Sequence, residues 1–353
     1  MAKAVRPPLD HLLALSDDTG IIQHATLDVP NRATGYCTDD VSRAFMFAVQ
    51  RLRAEPTNTT LKKLAGIYLA FLSDAQLPDG WFHNFMGYDR RWIDERGTQD
   101  SFGRALWSLG YGMRFTRRKS WREVCARLMN EALPRLGELA FLRSDAYAIL
   151  GLWHSHKSGG SEHVAYLDAI RALASELRAS YETHNVADWR WFEDVMTYDN
   201  ARLCEAAIRA GEALRDRELV EIGIASLRFY CSIVIEDGIF VPIGNQGWYQ
   251  RSQKRARYGQ QPLEAVALID AALAAHECTN DPSFLTAARV GWLWYYGHNT
   301  AAATLVEDGG CHDGIDEGGV NPNMGAESTL AYLSAAASVC EAEKAFTSNV
   351  NAQ

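Results

Sequence analysis

The chain has 353 residues, 47% of them apolar and 22% charged, with a formal net charge of −9. Single cores stop growing somewhere near 250 to 300 residues, so length alone allows one large domain or two ordinary ones. The acidic balance disfavours a nucleic-acid partner, and no apolar run nears the roughly 20 residues of a membrane span, so neither nucleic acid nor a membrane is an expected partner.

The N-terminal "MAKAVRPPLDHLL" carries positive charge but no apolar core and no small-residue cleavage site, which predicts a cytoplasmic protein. Seven cysteines occur without a Cys-x-x-Cys pair, against both a disulfide framework and a thiolate zinc site.

Residues 1–37 read as a lead-in segment. From there the apolar residues fall at i, i+3, i+4 and i+7 almost throughout, the period of helices. "DVSRAFMFAVQRLRA" predicts a helix that returns, after the polar turn "AEPTN", through "TLKKLAGIYLAFLSDA". "SFGRALWSLGYGMRF" and "SWREVCARLMNEALPRL" form a second pair across "TRRKS". A third opens at Arg143-Ser144-Asp145 and includes "HVAYLDAIRALASELRASY". "NARLCEAAIRAGEAL" with "RELVEIGIASLRFYCSI", and "PLEAVALIDAALAAHE" with "SFLTAARVGWLWYYG", give the fourth and fifth. "AESTLAYLSAAASVCEAEKAF" begins a sixth whose return is incomplete or frayed. About eleven helices result, and strand-like alternation is confined to "SIVIEDGIFVPIG".

Short turns within pairs alternate with long loops near 79–97, 185–196, 237–260 and 299–325. Loops of that length inside a compact domain are usually functional. Each precedes the first helix of a pair, so all should emerge at one end. The first helices start at Thr38-Asp39-Asp40, Thr98-Gln99-Asp100, Arg143-Ser144-Asp145, Thr197-Tyr198-Asp199, Gln261-Pro262-Leu263-Glu264 and Gly325-Ala326-Glu327. Six starts at intervals of roughly 45 to 65 residues predict an all-α fold, an (α/α)6 toroid of six helical hairpins forming one domain over residues 1–353.

Any one of these carboxylates is explained by helix capping and by the favourable dipole at a helix N-terminus. Their convergence is what suggests chemistry, because the inner helices of a toroid aim their N-termini at one cavity. Glycoside cleavage needs two carboxylates there, one to protonate the leaving oxygen and one to activate water or attack the sugar. The candidates are Asp40, Asp100, Glu193, Asp199, Glu264 and Glu327, with Asp100 and Asp199 first. Arg43, Arg104 and Arg202 follow their aspartates by about one helical turn, the spacing of intrahelical ion pairs.

The loops carry Trp81, Phe82, Phe85, Tyr88, Trp92, Trp189, Trp191, Phe192, Tyr198, Trp248, Tyr249 and Tyr258, more rings than solvent-facing loops need. Sealing the mouth of the ring is one use for them. Stacking on the apolar faces of sugars is the other, with polar neighbours binding hydroxyls. Trp81, His83, Tyr88, Asp89, Trp191, Trp248, Gln260, Gln261 and Asn323 are the candidate substrate-binding residues. His83, His298 and His312 lack metal-ligand spacing, and neither a metal nor another cofactor is expected. The Gly-rich "EGGVNPNMGAES" lacks the Lys-Ser/Thr of a phosphate-binding loop.

Taken together, "GYCTDD", "DGWFHNFM-YDR-W", "QDSFGRALW", "WFED-TYDNARL", "QQPLEA" and "N-N-GAESTLAYL" resemble the six-hairpin glycosidase-like superfamily. Within it the chain is similar to uncharacterised, glycosyltransferase-associated bacterial proteins. The likeness runs from about Asp17 to Leu333. Val41-Ser42 stands where that group has Asn-Ala, and Gln99 where it often has Glu. The resemblance implies an oligosaccharide or glycan substrate and carboxylate catalysis in a central cavity. It also implies a possible functional link to a glycosyltransferase. Superfamily activities include glycosidases, glycoside phosphorylases and unsaturated glucuronyl hydrolases, while sugar epimerases share the toroid and use a pair of histidines. A glycoside hydrolase is the leading expectation. The alternatives are a phosphorylase, a non-catalytic saccharide-binding protein and a sugar epimerase.

Overall fold

Residues 5–159 and 163–350 are described by a computed structural model, and twelve helices carry them. They are α1 (Asp10–Leu15), α2 (Thr38–Ala54), α3 (Thr59–Ala75), α4 (Gln99–Phe115), α5 (Lys119–Ala132), α6 (Leu142–Ser158), α7 (His163–His184), α8 (Ala201–Leu214), α9 (Arg217–Val234), α10 (Pro262–Thr279), α11 (Pro282–Trp294) and α12 (Ala326–Val350). All six predicted starts fall within four residues of the observed ones. Helices α2, α4, α6, α8, α10 and α12 pack each on the next, and α12 packs on α2, which closes an inner ring. Helices α3, α5, α7, α9 and α11 each lie outside their inner partner.

The sixth outer place shows why the last hairpin looks incomplete. Helix α12 continues as a single helix to Val350, and the N-terminal α1 packs against it instead of a return helix. The His11 ring hydrogen-bonds the Met324 carbonyl at 2.8 Å across this junction. What reads as a lead-in is therefore part of the wall.

Inner and outer helices differ as their positions require. Helix α5 buries Cys125, Leu128, Met129 and Ala132, one stripe at helical spacing flanked by half-buried Trp121, Val124 and Ala126, and turns its other face to solvent. Helix α4 is buried without interruption from Ser101 to Met113, because neighbours touch it on both sides and from outside. Close approach of α4 and α6 depends on missing side chains. A Cβ on Gly110 would lie 1.9 Å from the Gly151 carbonyl oxygen.

Threonine capping holds at one of the three Thr-x-Asp joints. Thr98 accepts the Ser101 N–H and caps α4. Thr38 instead donates to the His83 carbonyl at 2.6 Å, and the Cys37 sulfur caps α2. At α8 the free N–H groups of Asp199 and Asn200 are taken by Glu264 from the neighbouring helix.

All long loops emerge at the N-terminal end of the inner ring, where short antiparallel pairs tie them together. Tyr36–Cys37 pairs with Phe85–Met86, Val195–Met196 with Tyr249–Gln250, and Gly314–Asp316 with Gly319–Asn321. The predicted alternation around 232–244 is a hairpin of Ile235–Glu236 on Ile239–Phe240. Its turn residues Asp237 and Gly238 both have positive φ, the conformation that matches the twist of two-residue hairpins. No disulfide joins the cysteines among the described residues, and Cys37, Cys125, Cys204 and Cys311 are buried.

Candidate active site

At the loop end of the ring lies a cavity of about 660 Å³. Six carboxylates line it: Asp39, Asp40, Asp100, Asp313, Asp316 and Glu327. The first turns of α2, α4 and α12 supply Asp39, Asp40, Asp100 and Glu327, while the loop hairpin before α12 supplies the other two. Arg43, Arg104 and Leu263 form its floor and also line a second cavity at the opposite end of the ring.

Asp40 is the more enclosed of the adjacent pair. Arg43 donates to its Oδ1 at 2.8 Å and the Cys37 thiol to its Oδ2 at 3.1 Å. Burial pushes its carboxyl up to about 6 despite Arg43, with Glu327 adding to the rise. Arg43 also donates to Glu327 at 2.8 Å, so one guanidinium joins the first and last inner helices.

Asp39 projects further into the cavity. Its Oδ1 has no hydrogen-bond partner, and the nearest cation, Arg104 Nε, is 3.5 Å away. Burial lifts this carboxyl above the usual range against the pull of Arg43 and Arg104, and the charges of Asp100 and Glu327 lift it further. Asp100 is different: the Ser144 hydroxyl donates to Oδ1 at 2.6 Å and the Tyr198 hydroxyl to Oδ2 at 2.5 Å. The close α4–α6 contact brings Ser144 within reach. Tyr198 is held in turn by Arg143, which donates to its carbonyl at 2.5 Å and stacks 5.0 Å from its ring.

Three expected catalytic carboxylates do not reach this cavity. Asp199 is 2% exposed and accepts from Arg104 at 2.8 Å and from the Tyr147 hydroxyl at 2.7 Å. Burial opposes its charge, but Arg104, Arg202 and Tyr147 hold it below the usual carboxylate range. Glu264 is spent on the backbone N–H groups of Asp199 and Asn200 and on the Tyr230 hydroxyl, and burial pushes it up to about 7. Glu193 pairs with Arg143 at 2.7 Å and so stands behind Tyr198. The expected Asp-to-Arg pairing within one helix holds for Asp40–Arg43 and, at 3.6 Å, for Asp199–Arg202. Arg104 turns away from Asp100 and crosses the ring to Asp199.

Among the expected binding residues, Trp248, Gln260 and Gln261 line the cavity. Trp248 adopts a left-handed backbone (φ 57°), costly for a bulky residue, and its ring sits 6.2 Å from that of Tyr198. Gln260 donates to the Arg257 carbonyl and to Thr300. Trp81 and Trp191 are instead core: Trp81 stacks on Phe102 at 4.2 Å, and Trp191 is fully buried on Tyr230. His83 stacks on Trp92 at 4.7 Å outside the cavity. Tyr88 lines a separate groove beside Asn31, Asp89 is exposed on the loop, and Asn323 accepts the Leu27 N–H.

Sequence reading gives no site role to Asp39, Asn245, Asp313 or Asp316, and counts Tyr198 among the loop aromatics, where the cavity does include it. A signal for Asp313 and Asp316 exists in the flanking glycines: Gly314 has φ 146°, and a Cβ there would meet the Gln260 carbonyl at 2.0 Å, so the loop must fold back onto the cavity. Among the described residues no group of three His, Cys, Asp or Glu side chains could hold a metal ion. No helix is long and apolar enough to cross a membrane among them.

No protein family and no curated protein matches the sequence. Solved structures do match in shape. Cellobiose 2-epimerase from Bacillus thermoamylovorans superposes with a TM-score of 0.74 at 13% identity, over 95% of this chain and 96% of that one. This chain has the (α/α)6 toroid fold. A D-mannose isomerase superposes with a TM-score of 0.65 at 11% identity, over 94% of each chain. A GH76 alpha-mannanase from Bacteroides thetaiotaomicron gives 0.64 at 10% identity, over 96% of this chain and 95% of that one. At 10 to 13% identity these matches bear out the expected toroid in shape.

Proposed function

We propose that the protein is a carbohydrate-active enzyme that hydrolyses a glycosidic bond in an oligosaccharide at the loop-end cavity. The observation that carries this reading is the pairing there of Asp39, a half-buried carboxyl lifted above its usual range, with Asp100, an acceptor of two hydroxyl hydrogen bonds. Asp39 is suited to hold a proton and pass it to the departing glycosidic oxygen. Asp100 supplies the electron pair, either to the anomeric carbon or to the water that attacks it. Trp248 offers a face for the sugar ring, and Gln261 and Asn245 stand where hydroxyls would lie.

Two features set this reading above its alternatives. Histidine-based epimerisation needs two imidazoles at the reacting carbon, whereas His24 is the one histidine among the described residues lining the cavity. A phosphorylase needs a cation for phosphate, whereas the two lining arginines, Arg43 and Arg104, are each already paired with carboxylates.

The test is a reducing-end assay over a panel of oligosaccharides, with and without phosphate, on the wild type, Asp39→Asn and Asp100→Asn. Release without phosphate in the wild type, lost in both variants with their far-ultraviolet dichroism intact, is the expected result. Binding without product across the panel would identify a saccharide-binding protein instead, and full activity in both variants would overturn the assignment.

A further inference from the structure

Beyond the Arg43–Arg104–Leu263 floor, the inner helices end around the second cavity, about 730 Å³ in volume. Cations are expected there for a structural reason, since helix C-termini carry partial negative charge. Most of them also close ion pairs across the rim: Arg53 with Glu341 at 2.9 Å, Lys157 with Glu212 at 2.7 Å, and Arg209 with Glu277 at 2.8 Å.

Arg114, in the last turn of α4, breaks this pattern. It closes no ion pair among the described residues, and its one hydrogen-bond contact there is with His154 Nδ1 at 3.3 Å. Its guanidinium lies 4.8 Å from the centre of the Phe115 ring and 4.7 Å from that of Trp153. An arginine can only donate, so His154 Nδ1 accepts and the imidazole proton sits on Nε2. That Nε2–H has no acceptor among the described residues, although His154 is 8% exposed and lines the cavity. The Trp153 indole N–H beside it is buried and also lacks a partner.

Local potential points the same way. Burial holds His154 well below the usual imidazole range, and every charge that acts on it is a cation: Arg114, Arg209 and Arg53. Burial and Arg209 likewise draw Arg114 down, against the pull of Glu212, which is itself paired with Lys157 and Arg209. Six carboxylates also line the cavity, Asp199, Glu205, Glu212, Asp270, Glu277 and Glu341, and each is paired with another cation. Arg114 and the imidazole N–H are left as the donors that a small oxyanion can use.

We propose that this end of the toroid is a second ligand site, binding a small oxyanion as free phosphate or as the phosphate of a phosphorylated sugar. Arg114 and the His154 Nε2–H are its donors, and the Trp153 and Phe115 rings form its wall. The site is separate from the carboxylate cavity and stands whether or not hydrolysis takes place there.

Titration calorimetry of the full chain with inorganic phosphate, a hexose 6-phosphate and the neutral hexose tests it. At least one of the two phosphates should bind with a Kd below about 10 mM, and Arg114→Gln should weaken that binding at least tenfold. Tighter binding of the hexose phosphate would name a phosphorylated sugar as the source, and equal or tighter binding of inorganic phosphate would name the free anion. Arg114 closes no ion pair among the described residues, so Arg114→Gln loses only the His154 hydrogen bond and the ring contacts, and its melting temperature should stay within a few degrees of the wild type. If that variant fails to fold, His154→Phe keeps the ring and removes the donor, and should weaken binding several-fold. No binding of either phosphate, or binding unchanged in the variant that folds, would overturn the proposal.

Discussion

Two sectors of the inner ring present the same sequence signal and use it in opposite ways. In the sector of α2 and α4, Asp39 and Asp100 start their helices and open onto the loop-end cavity. In the sector of α8 and α10, Asp199 and Glu264 stand at equivalent places and are sealed beneath Arg104, Tyr147 and Tyr230. The difference lies in what reaches across the ring. Arg104 leaves its own aspartate to neutralise Asp199, so Asp100 is satisfied by hydroxyls alone and keeps its face toward the cavity. On the proposed reading, one sector reacts and the other holds.

Substitutions can break this contrast. The largest effect expected is on turnover: Asp39→Asn or Asp100→Asn should lower kcat by about 10³-fold or more, with the melting temperature within a few degrees of the wild type. Asp199→Ala should do the reverse. It strips a buried partner from Arg104 and Arg202, and urea denaturation should register a loss of about 3 kcal/mol. A stable Asp199→Ala variant without activity would erase the distinction between the sectors.

Smaller effects sharpen it. Trp248→Ala should raise KM about tenfold for the best substrate while leaving kcat nearly unchanged, the signature of lost binding common to ground and transition states. The last concerns Asp145 in the intervening helix α6, whose effect is confined to one side of the pH range. Burial pushes this carboxyl up to about 7, with Glu176 adding to the rise, and its Oδ1 has no hydrogen-bond partner. A carboxyl raised on folding binds its proton more tightly in the native state, so its contribution is full below about pH 4 and is lost as pH rises through about 7. Asp145→Asn should therefore be more stable than the wild type at pH 8, on the order of 2 kcal/mol, and nearly equal to it at pH 4, as read by thermal melts.

The residues explain how far sequence reading could go. Helix starts were legible because capping side chains, prolines and carboxylates gather there, and the ring followed from their recurrence. Asp39 and Asp40 are neighbours in sequence but about 100° apart around a helix, and the direction of the cavity is set by packing that no local pattern encodes. The aromatic loops mislead for a related reason. Trp81 and Trp191 carry the same residue type and loop context as Trp248, yet Phe102 and Tyr230 offer them buried partners, and only Trp248 is left at the mouth. Asp199 looks most like Asp100 in sequence, and only the crossing of Arg104 separates them.

The junction of α1, α2 and α12 carries a consequence for the order in which the molecule is made. His11 and Met324 are 313 residues apart, Leu27 and Asn323 are 296 apart, and the Arg43–Glu327 contact spans 284. During synthesis the first hairpins can pack on one another as they appear, but these contacts must wait until residues 323–327 have been translated. The carboxylate cavity draws Asp39 from one side of that junction and Glu327 from the other. A nascent chain therefore has no site to occupy, and a carbohydrate that binds at the cavity would act as a clasp on the finished ring, stabilising the closed form over any partly assembled one.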